Sequence, residues 1–271
     1  MKIVEPFVEL WEQNDEDSHI ARCARVCYAS DKGDDKKLCQ ALWKSRHYSM
    51  YRHFGKYYII PTSIGLPDRG FIDVHRVLYN GKWYVSVNLQ TALNYFGIYK
   101  KYEISSEEAE QNEIFWKYKL LRYTFCVDSS LIITREYNRK SPNNIAEQST
   151  RYVDFNKKVG IRFLKSHWMY KLNLYKKGLT WMMLKLSEWF YKIARSKYGL
   201  NLPPEDARCF LPVDVMSRAI YTYTVRDWEY IINMRLYHWT GKAHKDAEII
   251  ASKIWTILTD MGYNINKYNK D

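Results

Sequence analysis

The sequence predicts an α+β fold, and two observations support this prediction. Residues 74–88 contain two β-rich runs around Asn80-Gly81, a dipeptide that suits a type I′ hairpin turn because both positions need positive φ. Apolar residues spaced three and four apart, which are typical of helices, dominate after residue 144. Mixed elements early in the chain and helices late in the chain are typical of an α+β domain.

The individual elements follow from local patterns. Residues 17–30 and 35–46 each carry an apolar stripe that predicts a helix, and residues 105–119 begin with the capping run Ser-Ser-Glu-Glu. The β-branched run 121–135 predicts a buried strand, and Pro142 then breaks the chain. The remaining predicted helices are 157–176, 181–197, 205–221, 225–237 and 244–261.

Length and composition predict a protein with a substantial core. Of the 271 residues, 46% are apolar and 16% are aromatic, so global disorder is not expected. No apolar run reaches the roughly 18 residues that cross a bilayer, and the N-terminus lacks a signal-peptide pattern. We therefore expect a cytoplasmic protein without a membrane partner.

Five cysteines at irregular spacing form no CxxC pair, so we expect neither a disulfide framework nor a metal site, and we predict buried, reduced thiols. They are Cys23, Cys27, Cys39, Cys126 and Cys209.

The net charge of +12 favours anionic partners, such as nucleic acid, a membrane surface or a small phosphorylated ligand. The lysines and arginines are dispersed and form no run of five or more. A nucleic-acid-binding protein should instead show basic residues clustered with aromatics along one surface. We therefore expect no specific nucleic acid partner, although a nucleic-acid-binding protein stays the lower-ranked alternative.

A polar run at residues 139–151 follows the predicted strand and surrounds a Pro-Asn break. Strand ends that lead into loops are places where a rigid scaffold offers polar groups to a ligand. Glu147 and Arg151 are four residues apart, so a helical surface salt bridge is the alternative interpretation.

Two further arginines are candidate site residues. Arg208 follows a Pro-Pro break at a predicted helix start, where backbone N–H groups favour anions, although a plain surface arginine is the simpler interpretation. Arg235 falls on the apolar stripe of the predicted helix 225–237, and a buried guanidinium needs a partner. That partner is either a buried carboxylate, or a bound anion or polarised carbonyl.

Together these clusters resemble the flavin-dependent thymidylate synthase family, often called ThyX. The family signature is Arg-His-Arg, then seven residues, then Ser-x-Arg-Tyr, and this frame falls on Arg139–Ser141 and Ser149–Tyr152. The end of the motif is kept, whereas Lys140 replaces the histidine and Ser141 replaces the second arginine. Other segments resemble the family in the same order: FVEL at 7–10, ARVCYAS at 24–30, HYSMYRH at 47–53, ARCFLP at 207–212, and Thr224–Arg226 with Asn233–Arg235 and His244.

The resemblance implies a central antiparallel sheet flanked by helices in a single domain over residues 1–271. Residues 54–121 exceed the family frame, so they are predicted to be an inserted β-hairpin and helix segment. Members of the family are homotetramers whose active sites are shared between subunits, and the same assembly is implied here.

The resemblance also implies a dUMP site, in which Arg235 is the catalytic residue and stabilises negative charge on the uracil ring. The positions that match dUMP contacts are Glu136, Tyr137, Asn138, Arg139, Glu147, Gln148, Ser149, Thr150, Arg151, Arg208 and Arg235. The positions that match FAD contacts are Ser49, Arg139, Lys140, Ser141, Glu147, Thr224, Val225, Arg226 and Tyr230.

The implied activity is the reductive methylation of dUMP to dTMP. Methylenetetrahydrofolate supplies the carbon, and NADPH reduces FAD, the cofactor that carries the redox chemistry. Two alternatives stay within the same family: a flavin- and folate-dependent dUMP hydroxymethylase, and a homologue without activity.

Overall fold

The computed structural model describes residues 1–66 and 73–269. Two four-stranded antiparallel sheets, ordered β2-β7-β10-β8 and β4-β5-β3-β6, contain most of the strands, and β1 pairs in parallel with β9. The strands are β1 (Lys2–Val4), β2 (Phe7–Trp11), β3 (Gly55–Pro61), β4 (Val74–Tyr79), β5 (Lys82–Asn88), β6 (Glu103–Ile104), β7 (Arg122–Ser130), β8 (Ile145–Glu147), β9 (Arg162–Leu164) and β10 (Met216–Thr224).

Helices flank both sheets, as the predicted fold class requires. They are α1 (Glu16–Tyr28), α2 (Asp35–Lys44), α3 (Leu89–Tyr95), α4 (Ser106–Gln111), α5 (Glu113–Lys117), α6 (Leu131–Tyr137), α7 (Leu174–Arg195), α8 (Pro204–Ala207), α9 (Val225–Arg235) and α10 (Lys245–Asp260). Short 3₁₀ turns cover Tyr48–His53, Gly97–Tyr102, His167–Lys171 and Arg208–Phe210, and a π turn covers Phe155–Val159. Within the described residues, no helix is both long and apolar enough to cross a membrane.

The first sheet supports the main core, because β7 and β10 pair along their whole length from Arg122 opposite Thr224 to Ser130 opposite Met216. Helix α9 packs on one face of this sheet, where the fully buried Trp228 meets Phe125 edge-on at 4.9 Å between ring centroids. Aromatic pairs of this geometry add to the stabilisation that burial itself gives.

The second sheet lies within the predicted insertion, and it is larger than the hairpin that the sequence predicted. The hairpin itself is confirmed: β4 and β5 meet at Asn80 and Gly81, which both have positive φ, 46° and 71°. Helix α1 contacts both sheets, because Ile20 packs into the core of the second sheet and Cys23 packs against the first.

A buried ion pair also joins the two sheets. Arg122 begins β7, and its guanidinium contacts Asp73 at 2.7 Å (Nη1 to Oδ2), while its Nε donates to Ser86 Oγ on β5 at 3.0 Å. Both charged side chains are almost completely buried. Asn88 and Asn144 donate further hydrogen bonds to Asp73, so the carboxylate is fully satisfied.

Two predicted boundaries were wrong because burial masks periodicity. The predicted strand 121–135 ends at Ser130 and continues as helix α6, in which Ile133 and Tyr137 bury one face. The predicted helix 205–221 is instead the short α8, a 3₁₀ turn and strand β10. A strand buried on both faces is a continuous apolar run, which cannot be distinguished from a buried helix by period alone.

Two other predicted helices are shorter than expected. Residues 105–119 form α4 and α5, which are separated at Asn112 because its side chain caps α5 by accepting from Ile114 N. Residues 157–176 form a π turn, strand β9 and a 3₁₀ turn before α7 begins at Leu174.

All five cysteines are free, but the prediction of buried thiols was wrong for Cys209, which is exposed, and only partly right for the half-buried Cys27.

Candidate functional site

A cavity of about 560 Å³ lies between the hairpin of the second sheet, the segment after α6 and the start of α9. Five of its lining residues are positions that the sequence assigned to FAD, and three others were not predicted. The five are Arg139, Lys140, Ser141, Arg226 and Tyr230; the three are His75, Asp227 and Tyr268.

The start of α9 positions one wall of this cavity. Thr224 ends β10 and caps α9, since its hydroxyl accepts from Asp227 N at 3.2 Å. This capping directs the nearly buried Asp227 into the cavity, where its carboxylate contacts Lys140 Nζ at 3.1 Å. Thr224 and Val225 are themselves completely buried, so they support the cavity rather than line it.

His75 connects the cavity with the ion pair between the sheets. Its Nε2 lies 3.0 Å from Asp227 Oδ2 and 3.1 Å from Asp73 Oδ1. Burial lowers the pKa of His75, but the hydrogen bonds to Asp227 and Asp73 outweigh burial and raise that pKa above its usual value. Burial raises the pKa of Asp73, yet the Arg122 guanidinium holds it well below the usual range. The cavity wall therefore favours a charged imidazole between two carboxylates.

Arg235 faces inward, as predicted, and is only 5% exposed. Its guanidinium pairs with Glu136, with Nη1 at 3.0 Å from Oε2 and Nη2 donating to the Glu136 carbonyl. A carboxylate partner is thus present, as one of the alternatives predicted, although Glu136 is half-buried rather than buried. Its buried Nε has no hydrogen-bond partner in the structure. Glu136 also approaches Arg139 at 3.5 Å, and this contact connects Arg235 with the cavity.

A second, exposed group gathers other positions assigned to dUMP. Arg208 Nη1 donates to Thr150 Oγ1 at 2.7 Å, and Arg151 pairs with Glu205 at 3.1 Å. The Ser149 hydroxyl accepts from Arg151 N at 3.1 Å, which shapes the loop. No hydrogen bond or ion pair joins this group to the cavity within the described part of one chain.

Two interpretations of this loop region were wrong. Glu147 does not pair with Arg151 across a helical turn, because Glu147 ends strand β8 and its carboxylate accepts from Thr134 Oγ1 at 2.7 Å. Arg208 does not start a helix; it follows α8, which ends at Ala207, so it does not lie among free N–H groups of a helix start.

The other predicted residues lie apart from both groups. The Tyr137 hydroxyl donates to Ala247 O at 2.7 Å, and Asn138 Oδ1 accepts from the Tyr221 hydroxyl at 3.2 Å, so both side chains are engaged inside the protein. Ser49 is exposed on the turn Tyr48–His53.

Gln148 lines a different cleft of about 540 Å³, and its buried Nε2 has no hydrogen-bond partner in the structure. This cleft contains four arginines that the sequence did not single out: Arg22, Arg25, Arg162 and Arg218.

The three unpredicted residues of the cavity differ in whether the sequence contains a feature that could have identified them. Asp227 directly follows the predicted residues Thr224–Arg226, so its place next to them in the sequence was a usable signal. His75 and Asp227 are 152 positions apart in the sequence, and only the pairing of strands in the second sheet brings the two side chains together. Tyr268 follows the last helix in a segment without periodicity.

Comparison with known proteins gives one family match. The family model described as thymidylate synthase complementing protein matches residues 118–261, just over half of the chain. No curated protein matches. Similar solved structures include the UMP/dUMP methylase PolB from Streptomyces cacaoi bound with 5-Br dUMP, at 15% identity and a TM-score of 0.47 over 96% of this chain and 93% of that chain. The same protein bound with 5-Br UMP gives 15% identity and a TM-score of 0.47 over 96% and 92%.

Proposed function

The chain belongs to the thymidylate synthase complementing protein family, and on this premise we propose that it is a flavin-dependent thymidylate synthase. It methylates dUMP to dTMP, with methylenetetrahydrofolate as carbon donor and NADPH as the reductant of FAD. The observation that carries the proposal is the cavity that brings together five of the positions assigned to FAD; Arg235 is connected with it through Glu136 and Arg139.

The donor set of this cavity fits a flavin dinucleotide. Arg139, Arg226 and Lys140 supply cationic groups for a pyrophosphate, and Tyr230 and Tyr268 supply rings for contact with a planar group. When bound, the flavin supplies the hydride chemistry, and the protein supplies binding, orientation and charge.

Arg235 acts on the uracil ring in this proposal. Its guanidinium is held by Glu136, so its orientation is fixed before the substrate binds. The Nε is buried and has no hydrogen-bond partner, so its donation to a ring oxygen requires the neighbouring side chains to move when dUMP binds. A fixed donor at a position where negative charge develops accelerates a reaction without reorganisation cost.

The phosphate of dUMP binds to the exposed group at Thr150, Arg151 and Arg208. Two guanidinium groups and a hydroxyl fit a phosphate dianion. Glu205 contacts Arg151 and repels the phosphate, so this ion pair has to open when dUMP binds. Exposed pairs of this kind contribute at most about 1 kcal/mol, so opening one is not costly.

Within the described residues no hydrogen bond or ion pair joins the phosphate group to the cavity, and this supports a homotetramer with shared sites. A second observation supports self-association: helix α7 has an exposed apolar stripe, which we call the α7 face and which consists of Trp181, Met182, Leu186 and Trp189. Large contiguous apolar surfaces of this kind mark interaction sites. One domain, with residues 54–121 as an insertion, is part of the same proposal.

An assay of the product tests the function. We would incubate the purified chain with dUMP, methylenetetrahydrofolate, NADPH and FAD, and identify the nucleotide product by mass. We expect dTMP. A hydroxymethyl nucleotide would assign the related hydroxymethylase, and flavin binding without a product would indicate an inactive homologue. A folded protein that binds neither flavin nor dUMP would contradict the proposal.

A pair of variants tests the phosphate site. Arg208→Gln should raise the KM for dUMP at least about tenfold, which is the loss of roughly 1.4 kcal/mol of binding. Arg46→Gln removes an exposed arginine from the segment after α2 and should leave the KM unchanged. Equal effects of the two variants would indicate a general charge effect rather than a site.

A further inference from the structure

A cluster of two histidines and a carboxylate lies at the start of α10, outside the cavity and the phosphate group. His244 caps the helix, Asp246 lies in its first turn, and His167 comes from the 3₁₀ turn after β9. Their potential ligand atoms all lie within 4.8 Å of one another.

Asp246 is the least satisfied member of this cluster. It is 1% exposed, and its Oδ1 accepts from His167 N at 2.8 Å, but its buried Oδ2 has no hydrogen-bond partner. Among the residues that the structure describes, its ion-pair contacts are with His167 and His244, and none is with a lysine or arginine. The helix start favours its charge in part. A buried carboxylate nevertheless needs a positively charged partner, either a cationic side chain or a bound metal ion.

One of the two distances within the cluster matches that around a tetrahedral cation, and the other, to the second oxygen of Asp246, is slightly longer. His167 Nδ1 lies 3.3 Å from Asp246 Oδ1, and His244 Nδ1 lies 3.8 Å from Asp246 Oδ2. Ligands at about 2.0–2.2 Å from a tetrahedral zinc ion are about 3.3–3.6 Å apart. His167 Nδ1 is also buried and makes no hydrogen bond despite its short distance to the carboxylate.

We propose that His167, His244 and Asp246 form a binding site for a divalent cation of the zinc class. Two imidazoles and one carboxylate favour zinc over magnesium or calcium, which prefer oxygen ligands. A water molecule supplies a fourth ligand. His244 Nδ1 accepts from Asp246 N at 3.2 Å, so binding through this nitrogen exchanges a weak hydrogen bond for a coordinate bond.

The cation has a structural role. It fixes the start of α10 against the turn at His167, two segments that are 79 residues apart and joined by the His167 N to Asp246 hydrogen bond. Helix α10 packs in turn on α6 through the bond from the Tyr137 hydroxyl to Ala247 O. The site is independent of the proposed flavin chemistry.

Zinc binding by the metal-free full-length chain tests this proposal. We would titrate ZnCl₂ by calorimetry and CoCl₂ by visible absorption, which detects tetrahedral cobalt. We expect one saturable site per chain and a Tm that rises with zinc. In His167→Asn the affinity should fall more than about 100-fold, because even residues behind the ligands change metal affinity 10–100-fold. His47→Asn, a change at an exposed histidine after α2, is the matched control and should bind as the wild type does.

Asp246→Asn separates a metal site from a structural ion pair. Asparagine keeps an oxygen for His167 N, so the metal-free variant should melt at the wild-type temperature or above it, while zinc no longer raises the Tm. If Asp246 instead serves as the partner of a charged histidine, the variant will melt below the metal-free wild type. That result, or zinc binding that is equal in His167→Asn and the wild type, would overturn the proposal.

Discussion

Arg235 combines deep burial with an incomplete set of partners. Glu136 occupies one side of its guanidinium, and the buried Nε is left without a hydrogen bond. A planar group held in this way aligns its donors on a carbonyl, which the flexible ammonium of lysine cannot do.

We predict that Arg235→Lys lowers turnover by roughly two orders of magnitude or more, the scale of losing one transition-state donor. Lysine can still pair with Glu136, so the Tm should change little. Steady-state kinetics with dUMP and a thermal melt measure both effects. Early melting combined with normal turnover of the folded protein would make Arg235 a structural partner instead.

His75 is the contribution of the second sheet to the cavity. It lies between Asp73 and Asp227, so its imidazolium reduces the negative charge of the wall. We predict that His75→Gln weakens FAD binding roughly tenfold, or about 1.4 kcal/mol, because two carboxylates then face each other where a pyrophosphate should bind. Flavin fluorescence titration measures the change. His47→Gln should bind FAD as the wild type does; if His75→Gln does too, the cavity wall is not the flavin contact.

At the scale of elements, helix α1 and the turn Tyr48–His53 each place a histidine against the first sheet. His19 Nε2 contacts Thr124 Oγ1 at 3.1 Å, and His53 Nδ1 contacts Thr222 Oγ1 at 2.9 Å. Burial lowers the pKa of His19 to about 4 and that of His53 to about 3. Both imidazoles are therefore neutral in the folded protein at pH values where the unfolded chain would be protonated.

The sign of the pH dependence follows from these shifts. Below pH 6.5 the unfolded chain binds a proton at His19 and at His53 that the folded protein does not, so stability falls as the pH falls toward 4. His75 has the opposite effect, because its raised pKa gives stability that is present below pH 6.5 and lost as the pH rises through the folded value.

We therefore predict that these histidines place the maximum of stability near pH 6.5, with a loss of up to about 2.7 kcal/mol per pH unit on the acid side. Urea unfolding between pH 4.5 and 8.5 measures it. His19→Gln should halve the acid slope, whereas His75→Gln should keep it and remove the decline above pH 6.5. An acid slope that is unchanged in His19→Gln would refute the assignment.

The sequence predicted elements best where one local rule was sufficient. Asn80 and Gly81 required a particular turn, and the hairpin formed there. The apolar stripe of α9 correctly predicted that Arg235 faces inward. Strand β10 was mistaken for a helix because both of its faces are buried, so it has no alternation to detect.

The residues of the candidate site could be predicted where they lie within the short segments that resemble the family. The resemblance provided Arg139 and Tyr230, and the structure places both at one cavity. His75 could not be inferred, because it reaches Asp227 through strand pairing and not through sequence proximity.

At the scale of the whole molecule, the α7 face is the clearest sign of self-association. Leu186 and Trp189 are about half exposed on a helix that packs elsewhere in the chain. Full burial of an exposed apolar side chain is worth about 1.5–3 kcal/mol, so covering these half-exposed side chains would stabilise an assembly by about half of that each.

We predict that Leu186→Lys dissociates the proposed homotetramer into smaller species, with a loss of turnover because the shared sites of that tetramer would be separated. Sedimentation velocity at several concentrations measures the mass. Leu93→Lys changes a leucine of similar exposure on α3, 51% against 47%, and should leave the mass unaltered. A wild-type chain that sediments as a monomer, or an equal effect of both variants, would contradict a specific interface.

The buried pair between Arg122 and Asp73 has an evolutionary consequence. If a descendant lost residues 54–121 in one step, Arg122 would keep its place at the start of β7 but lose the carboxylate and the Ser86 contacts that neutralise it. The same segment also covers the guanidinium, because Tyr57 and Ser86 both contact Arg122, so without the segment the charge would be solvated and position 122 would be free to vary. While the segment is present, loss of Asp73 alone would leave a buried uncompensated charge, which costs several kcal/mol, a large part of the total stability of a domain. Positions 73 and 122 should therefore change together.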